Sequence, residues 1–190
     1  MCRCVCANRG RRANGLSGKL LAGFIVVVAG IAAISLYYLQ VYAYYTPVVA
    51  HGSEDVMLTS KQTAQPEAIA YSDFKAIDSD SSPIRYRGCF KTLVPLTALR
   101  QSYQVQPTAE PRVAPAWFDC FAADAVGAAL ESGAATAFMG TENIRYGIDR
   151  IVAIDRGGRG YVWHRINRCG KVVFDGKPVP PDCPKPPKSN

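Results

Sequence analysis

The sequence predicts an α+β chain: an N-terminal transmembrane helix followed by a small antiparallel-sheet domain with one or two helices and disulfides. Three observations predict it. The stretch from Leu20 to Tyr45 carries no charge. Several short segments beyond it alternate in polarity or run apolar between turn residues. Four cysteines, Cys89, Cys120, Cys169 and Cys183, are spread through that same downstream part.

Residues 20–45 are predicted as the transmembrane helix. Leu20 to Leu39 is almost wholly apolar, matching the ~20 residues a helix needs to cross a bilayer's hydrocarbon core. Arg3, Arg9, Arg11, Arg12 and Lys19 precede the run and no acidic residue does. Of the 22 basic and 15 acidic residues, that leaves 17 basic against 15 acidic downstream. Basic flanks stay in the cytoplasm, so residues 1–19 are expected inside and the C-terminal domain in the periplasm, on an inner-membrane, single-pass protein. The pI of about 9.1 is mostly this topology signal. The downstream part is close to neutral, so no nucleic-acid partner is expected. Tyr37, Tyr38, Tyr42, Tyr44 and Tyr45 cluster at the far end, as an outer aromatic belt does.

Val41-Tyr42-Ala43 and Val48-Val49-Ala50 resemble signal-peptide cleavage sites. A signal's apolar core is only about 7–15 residues, shorter than this run, so an uncleaved anchor is expected. Ala29 and Ala33 form a small-xxx-small pair of the kind that lets helices approach closely. Ordinary membrane-span composition accounts for it equally well, and self-association rests on nothing stronger.

The four downstream cysteines in an oxidising compartment read as two disulfides. Three connectivities exist. Pairing of chain neighbours, Cys89–Cys120 and Cys169–Cys183, is the expected one. No C-x-x-C spacing points to redox chemistry. Cys2, Cys4 and Cys6 lie in the basic segment, where metal binding or acylation is weaker than a reading with no role.

Residues 46–55 are expected to form a linker, 56–177 the α+β domain and 178–190 a Pro-rich tail. Within the domain, Val56–Thr59 is expected as an edge strand and Ile69–Ile77 as another. Asp78-Ser79-Asp80-Ser81-Ser82-Pro83 is a turn. It resembles the start of a calcium loop but has Pro83 where Gly belongs and Phe90 where Glu belongs. Ile84 to Phe90 alternates like a half-buried strand. Leu96–Tyr103 reads as a short helix, and the segment with Pro107, Pro111 and Pro115 as a loop. Ala122, Val126, Ala129 and Leu130 recur at helical spacing, with Asp119 as N-cap and Gly133 past the end. Ile148–Ile154 and Tyr161–Ile166 form a hairpin around Asp155–Gly160. The lone Arg-Gly-Gly-Arg at 156–159 belongs to that turn. Val172–Phe174 suggests a last strand.

Chemistry is sparse. His164 shares a strand face with Val162 and Ile166, and a histidine so placed is more often structural than catalytic. Tyr161, Trp163 and Arg165 share the other face. Tyr161, Trp163, His164 and Arg165 are the expected interaction surface, since Trp, Tyr and Arg anchor interfaces. The competing reading packs these side chains under a helix. No nucleotide-loop, serine-hydrolase or zinc signature occurs. No catalytic residue, cofactor or metal is assigned, and an enzyme is disfavoured. The expected partners are the membrane and another envelope protein or a second copy of the chain.

From Ser17 to Pro184 the chain resembles an uncharacterised family of single-span proteins from Rhodobacter-like alphaproteobacteria. The resemblance is carried by Gly18–Gly23, Tyr37–Ala43, Asp80–Arg87, Trp117–Phe121, Tyr146–Arg150 and Val172–Pro178. Family members begin close to Ser17, which implies that residues 1–16 precede the true start. Some relatives bear the automatic label histidine kinase. The chain has no room for a dimerisation helix and an ATP-binding domain, so at most it is similar to a sensor half without its kinase. Three readings follow: a periplasmic binding or assembly domain, a sensory or accessory subunit, and a small envelope enzyme using His164.

Overall fold

The chain enters the folded part through a helix with no inward face. In the computed structural model, which describes residues 18–187, α1 runs over Gly18–Tyr38 and continues as a π-helical turn, Leu39–Ala43. Its 21 α-helical residues rise about 32 Å at 1.5 Å each, enough for a hydrocarbon core of about 30 Å. None of its side chains is buried. By length and composition it can cross a membrane or serve as a signal sequence. Residues 1–17 of the basic segment, Cys2, Cys4 and Cys6 among them, lie outside the described residues.

The remainder is built on a six-stranded antiparallel sheet. The strands are β1 (Thr46–Val48), β4 (Ser72–Asp78), β5 (Arg87–Lys91), β8 (Arg159–Ile166), β7 (Ile148–Asp155) and β6 (Ala135–Arg145), in that spatial order. A two-stranded ribbon of β2 (Met57–Thr59) and β3 (Pro66–Ala68) lies beside it. Three short helices complete the domain: α2 (Leu96–Ser102), α3 (Ala123–Glu131) and α4 (Arg168–Phe174). The predicted class is therefore found: an apolar N-terminal helix, an antiparallel-sheet domain, and cysteine pairs Cys89–Cys120 and Cys169–Cys183 at bonding distance.

Strand alternation sends successive side chains to opposite faces. One face carries Phe90, Phe138, Val152, Ile154 and Val162, covered by Val56, Leu58, Ile69 and Leu99. The other carries Ile77, Cys89, Met139, Ile151, Ala153 and Trp163, covered by Phe118, Phe121 and Val126 from α3 and the loop before it. The outer edge of β6 is closed by the segment after α2: Gln106 N–H donates to the Ala137 carbonyl at 2.8 Å and Met139 N–H to that of Gln104 at 2.9 Å. An unpaired edge would be a template for aggregation.

Local chemistry explains where the strands and helices differ from expectation. The first residues of the predicted 46–55 linker are strand β1, paired with β4 in the register Thr46↔Asp78. Pro47 is tolerated there because an edge strand need not donate on both sides. The rest of that segment is tied by Asp55, whose buried carboxylate accepts the His51 and Gly52 N–H groups at 2.7 and 3.0 Å. The domain holds three helices rather than one or two. Val172–Phe174 is in α4, not a strand, because Asn167 caps its start through a bond from Gly170 N–H at 2.9 Å and Cys169 is pinned to Cys183. Tertiary and capping contacts override a weak strand propensity. Helix α3 begins after Ala122 with no side-chain cap, not at Asp119, and stops before Gly133 at φ +71°.

One buried cation positions the long loop between α2 and α3. Arg87 is 4% exposed. Its guanidinium donates to the carbonyls of Arg112 (2.9 Å), Val113 (3.0 and 3.2 Å), Ile84 (2.9 Å) and Tyr86 (2.7 Å). Burial brings its pKa down to about 10, so it stays charged at neutral pH. The loop is thereby fastened to β5, and it forms one wall of the cleft described next.

Candidate functional site

On the face that carries Trp163, the row beyond it holds two charges. Asp149 of β7 and Arg165 of β8 are register partners. The side chain of Asp149 is buried, and its Oδ2 lies 3.7 Å from an Arg165 guanidinium nitrogen. A buried carboxylate needs donors to offset desolvation. Asp149 Oδ1 accepts from the Asn143 N–H at 3.1 Å and from Asn167 Nδ2 at 2.9 Å. Asn143 sits at φ +48°, where the β6 register shifts between Thr141 and Arg145. Asparagine tolerates that left-handed conformation better than most residues. Its Oδ1 accepts from Gly147 N–H at 3.2 Å and from Asn167 Nδ2 at 2.9 Å. One asparagine side chain, Asn167, thus joins the β6–β7 turn, the buried Asp149 and the start of α4.

Helix α4 is held against that turn with little room. At Gly147, φ is +76°, and a Cβ there would collide with the Gly170 backbone. The tail is drawn in by the Cys169–Cys183 disulfide, an Arg168–Asp182 ion pair, and a bond from Tyr146 OH to the Pro184 carbonyl at 2.8 Å. From the other side, Arg165 donates to Gln106 Oε1 at 2.9 Å, while its buried Nε–H has no partner.

Between these walls is an open cleft of about 680 Å³. Met139, Asp149 and Arg165 lie at its floor, Thr108, Glu110 and Arg112 come from the fastened loop, and Arg168, Lys171 and Asp182 come from the disulfide-bound side. With Glu142 counted, four acidic and four basic side chains line it. Such a lining suits binding of a ligand or segment that carries both signs of charge. Among the described residues, no group of three or more His, Cys, Asp or Glu side chains is placed to hold a metal.

The expected interaction surface is dispersed. Trp163 is fully buried and meets Phe121 edge-on, with ring centroids 6.3 Å apart. His164 is 3% exposed on the opposite face. Neither is a surface residue, which corrects that expectation: a strand central in the sheet buries both of its faces. Tyr161 is half-buried beside the Cys89–Cys120 disulfide in a second hollow of about 620 Å³. Only Arg165 reaches the main cleft.

His164 is fully occupied. Its Nδ1 lies 2.8 Å from the Pro83 carbonyl, which can only accept, so the proton is on Nδ1. Its Nε2 therefore accepts, from Arg150 Nε at 3.1 Å. The ring stacks on Tyr86 at 4.7 Å, and Arg150 lies 4.3 Å over the other ring. Burial, and then the Arg150 charge, push the histidine pKa down to about 4. It ties β8 to the 83–86 turn and leaves no free lone pair for general-base work.

Asp149 is visible in the sequence as a charge inside an apolar strand. Its partners Asn143 and Asn167 carry no pattern that joins them to it. The charged pair Asp149-Arg150 between Ile148 and Ile151 is the one available signal that polar groups lie there.

Fold and site together define a class: a disulfide-bonded α+β sheet domain with a mixed-charge cleft, following an apolar helix long enough to cross a membrane. A family model described as a family of unknown function, DUF6446, matches residues 56–184. The chain belongs to that family. No curated protein and no solved structure matches it.

Proposed function

We propose that this protein is a single-pass inner-membrane protein whose periplasmic domain binds another envelope component through the Asp149–Arg165 cleft. The observation that carries the reading is the build of that cleft. A buried ion pair with costly polar supports forms its floor, and a disulfide and a buried arginine clasp hold its walls. Replacing such groups by apolar ones is often neutral or stabilising, so their retention points to a use other than stability. The basic N-terminal flank supports the orientation, and the cysteine pairing fits an oxidising compartment.

The accessory-subunit reading shares the anchor and the cleft, and differs only in whether the partner's occupancy is signalled through the helix. The enzyme reading through His164 has less support, since both ring nitrogens are engaged.

The test is in-cell photocrosslinking of the tagged full-length chain, with the crosslinker at Thr108 or Lys171, followed by mass spectrometry. A reproducible envelope partner captured from these positions, and lost in Arg165→Glu, supports the reading. Capture only from positions outside the cleft overturns it. Turnover of a substrate by the purified protein would replace it with an enzymatic one.

A further inference from the structure

At the rim of the second core cluster, against which Tyr45 packs, aromatic side chains from distant parts of the chain meet at one place. Trp117, on the loop before α3, is 36% exposed. Its indole N–H donates to the Val41 carbonyl at 2.7 Å. The ring stacks on Tyr42, with centroids 6.2 Å apart, and meets Tyr45 edge-on at 6.1 Å. The Arg85 guanidinium lies 5.7 Å from the ring centres of both Tyr44 and Tyr45. Val113, on the same loop, is 76% exposed.

Three features make this more than a satellite of the core. First, the patch combines a tryptophan, tyrosines and an arginine. That is the composition of the headgroup layer, where amphipathic rings and long cations place an apolar body toward the acyl chains and a polar tip toward water. Second, Val41–Ala43 belong to the π-helical turn that ends the apolar helix, and Tyr44 and Tyr45 come directly after it. Third, a tryptophan needed only for packing gains nothing from exposure, and the other tryptophan of the chain, Trp163, is fully buried.

We propose that the Trp117 loop is a second, non-spanning membrane contact. Trp117, Tyr44 and Arg85 occupy the phospholipid headgroup layer of the leaflet in which the span ends. The inference rests on the proposal that the N-terminal helix spans the membrane. It adds a lipid contact made by a loop that does not span.

The experiment uses the full-length chain reconstituted in phosphatidylcholine–phosphatidylglycerol vesicles. A carbonate wash and flotation establish the anchor. Tryptophan emission is then read in vesicles whose acyl chains are brominated close to the headgroup, or deep in the core, and with iodide in the aqueous phase. Trp163 serves as the buried reference. The expected result is loss of emission with shallow bromines, less loss with deep ones, and little with iodide. Trp117→Phe should remove the bromine-sensitive component. The wild-type comparison of bromine with iodide stands even if that variant fails to fold. A chain that floats after carbonate, with emission insensitive to bromine and quenched by iodide, overturns the proposal while the anchor stands. A chain stripped by carbonate overturns both.

Discussion

The buried histidine makes the domain acid-sensitive in a window that can be worked out beforehand. In the folded chain His164 titrates at about 4. In an unfolded chain it titrates near 6.5. Between these values the unfolded state binds a proton that the folded state does not, so stability rises with pH. The contribution of neutral His164 is fully present above about pH 6.5. It is lost as pH falls through the window toward 4. A separation of that size corresponds to about 3 kcal/mol in total, of which about 2 kcal/mol is gone by pH 5. The sign follows first from burial, which disfavours the charged ring, and then from Arg150 on β7, which faces it, with Arg145 and Arg87 adding to the positive field. The Pro83 carbonyl acts in the other direction and is outweighed. The perturbation is His164→Gln, which keeps a donor and an acceptor but does not titrate. The assay is urea unfolding of the full-length chain in detergent at pH 7, 6 and 5, with disulfides intact, followed by Trp163 fluorescence. Carboxylates titrate in both proteins, so the difference between them isolates His164. Wild type should lose about 2 kcal/mol more than the variant between pH 7 and pH 5. Parallel pH profiles would refute the reasoning, and with it the assignment of a neutral, Nδ1-protonated ring.

Two further predictions test how the cleft walls are held. The sulfur atoms of Cys89, Cys120, Cys169 and Cys183 should resist thiol labelling in cells until a reductant is added. Serine replacement of the Cys169–Cys183 pair, separated by 14 residues, should cost about 3 kcal/mol, and of Cys89–Cys120, separated by 31, about 4 kcal/mol by the loop-closure relation. Calorimetry gives the order, and hydrogen exchange should show α4 loosened only in the first variant. Arg87→Met should cost roughly 3 kcal/mol or more, because it strands the Arg112, Val113, Ile84 and Tyr86 carbonyls in the interior. Lysine, with a point charge instead of a fork, should not rescue it, as urea unfolding would show.

The hairpin of β7 and β8 is legible in the sequence because two signals agree there. Apolar residues at 148, 151, 152 and 154 and alternation from Tyr161 flank a turn rich in glycine. Asp155 then organises that turn by accepting from Gly157 and Arg159 N–H groups at 2.8 and 2.9 Å. The neighbour pairing of cysteines is legible for a similar reason, since each bridge closes a short local loop. Strand β6 is less so: Ala135–Met139 is mostly apolar with no sustained alternation, and its register shifts between Met139 and Thr141. Alternation places Trp163 and His164 on opposite faces but cannot tell that both faces are covered. That depends on α3 and on the 83–86 turn. The cleft is the least legible part. Asn143, Asp149 and Asn167 converge through a left-handed residue, a register pair and a helix cap, none of which leaves a periodic trace.

The polar interior groups are not scattered through the sheet. Along β8, the rows at Gly160 and Val162 face apolar partners, whereas those from Trp163 onward face Arg87, Arg150 and Asp149. The same end of the sheet holds Ile77 beside Arg87 and Thr46 beside Asp78, so it is also where the chain enters the domain. Burying Arg87, His164 and Asp149 there requires many hydrogen bonds to offset desolvation, and a purely structural sheet end would be built more cheaply from apolar side chains. Local departures of this kind mark the part of a fold shaped by something besides folding. The cleft opens at this end, and the Arg85–Tyr44–Trp117 patch lies on it too.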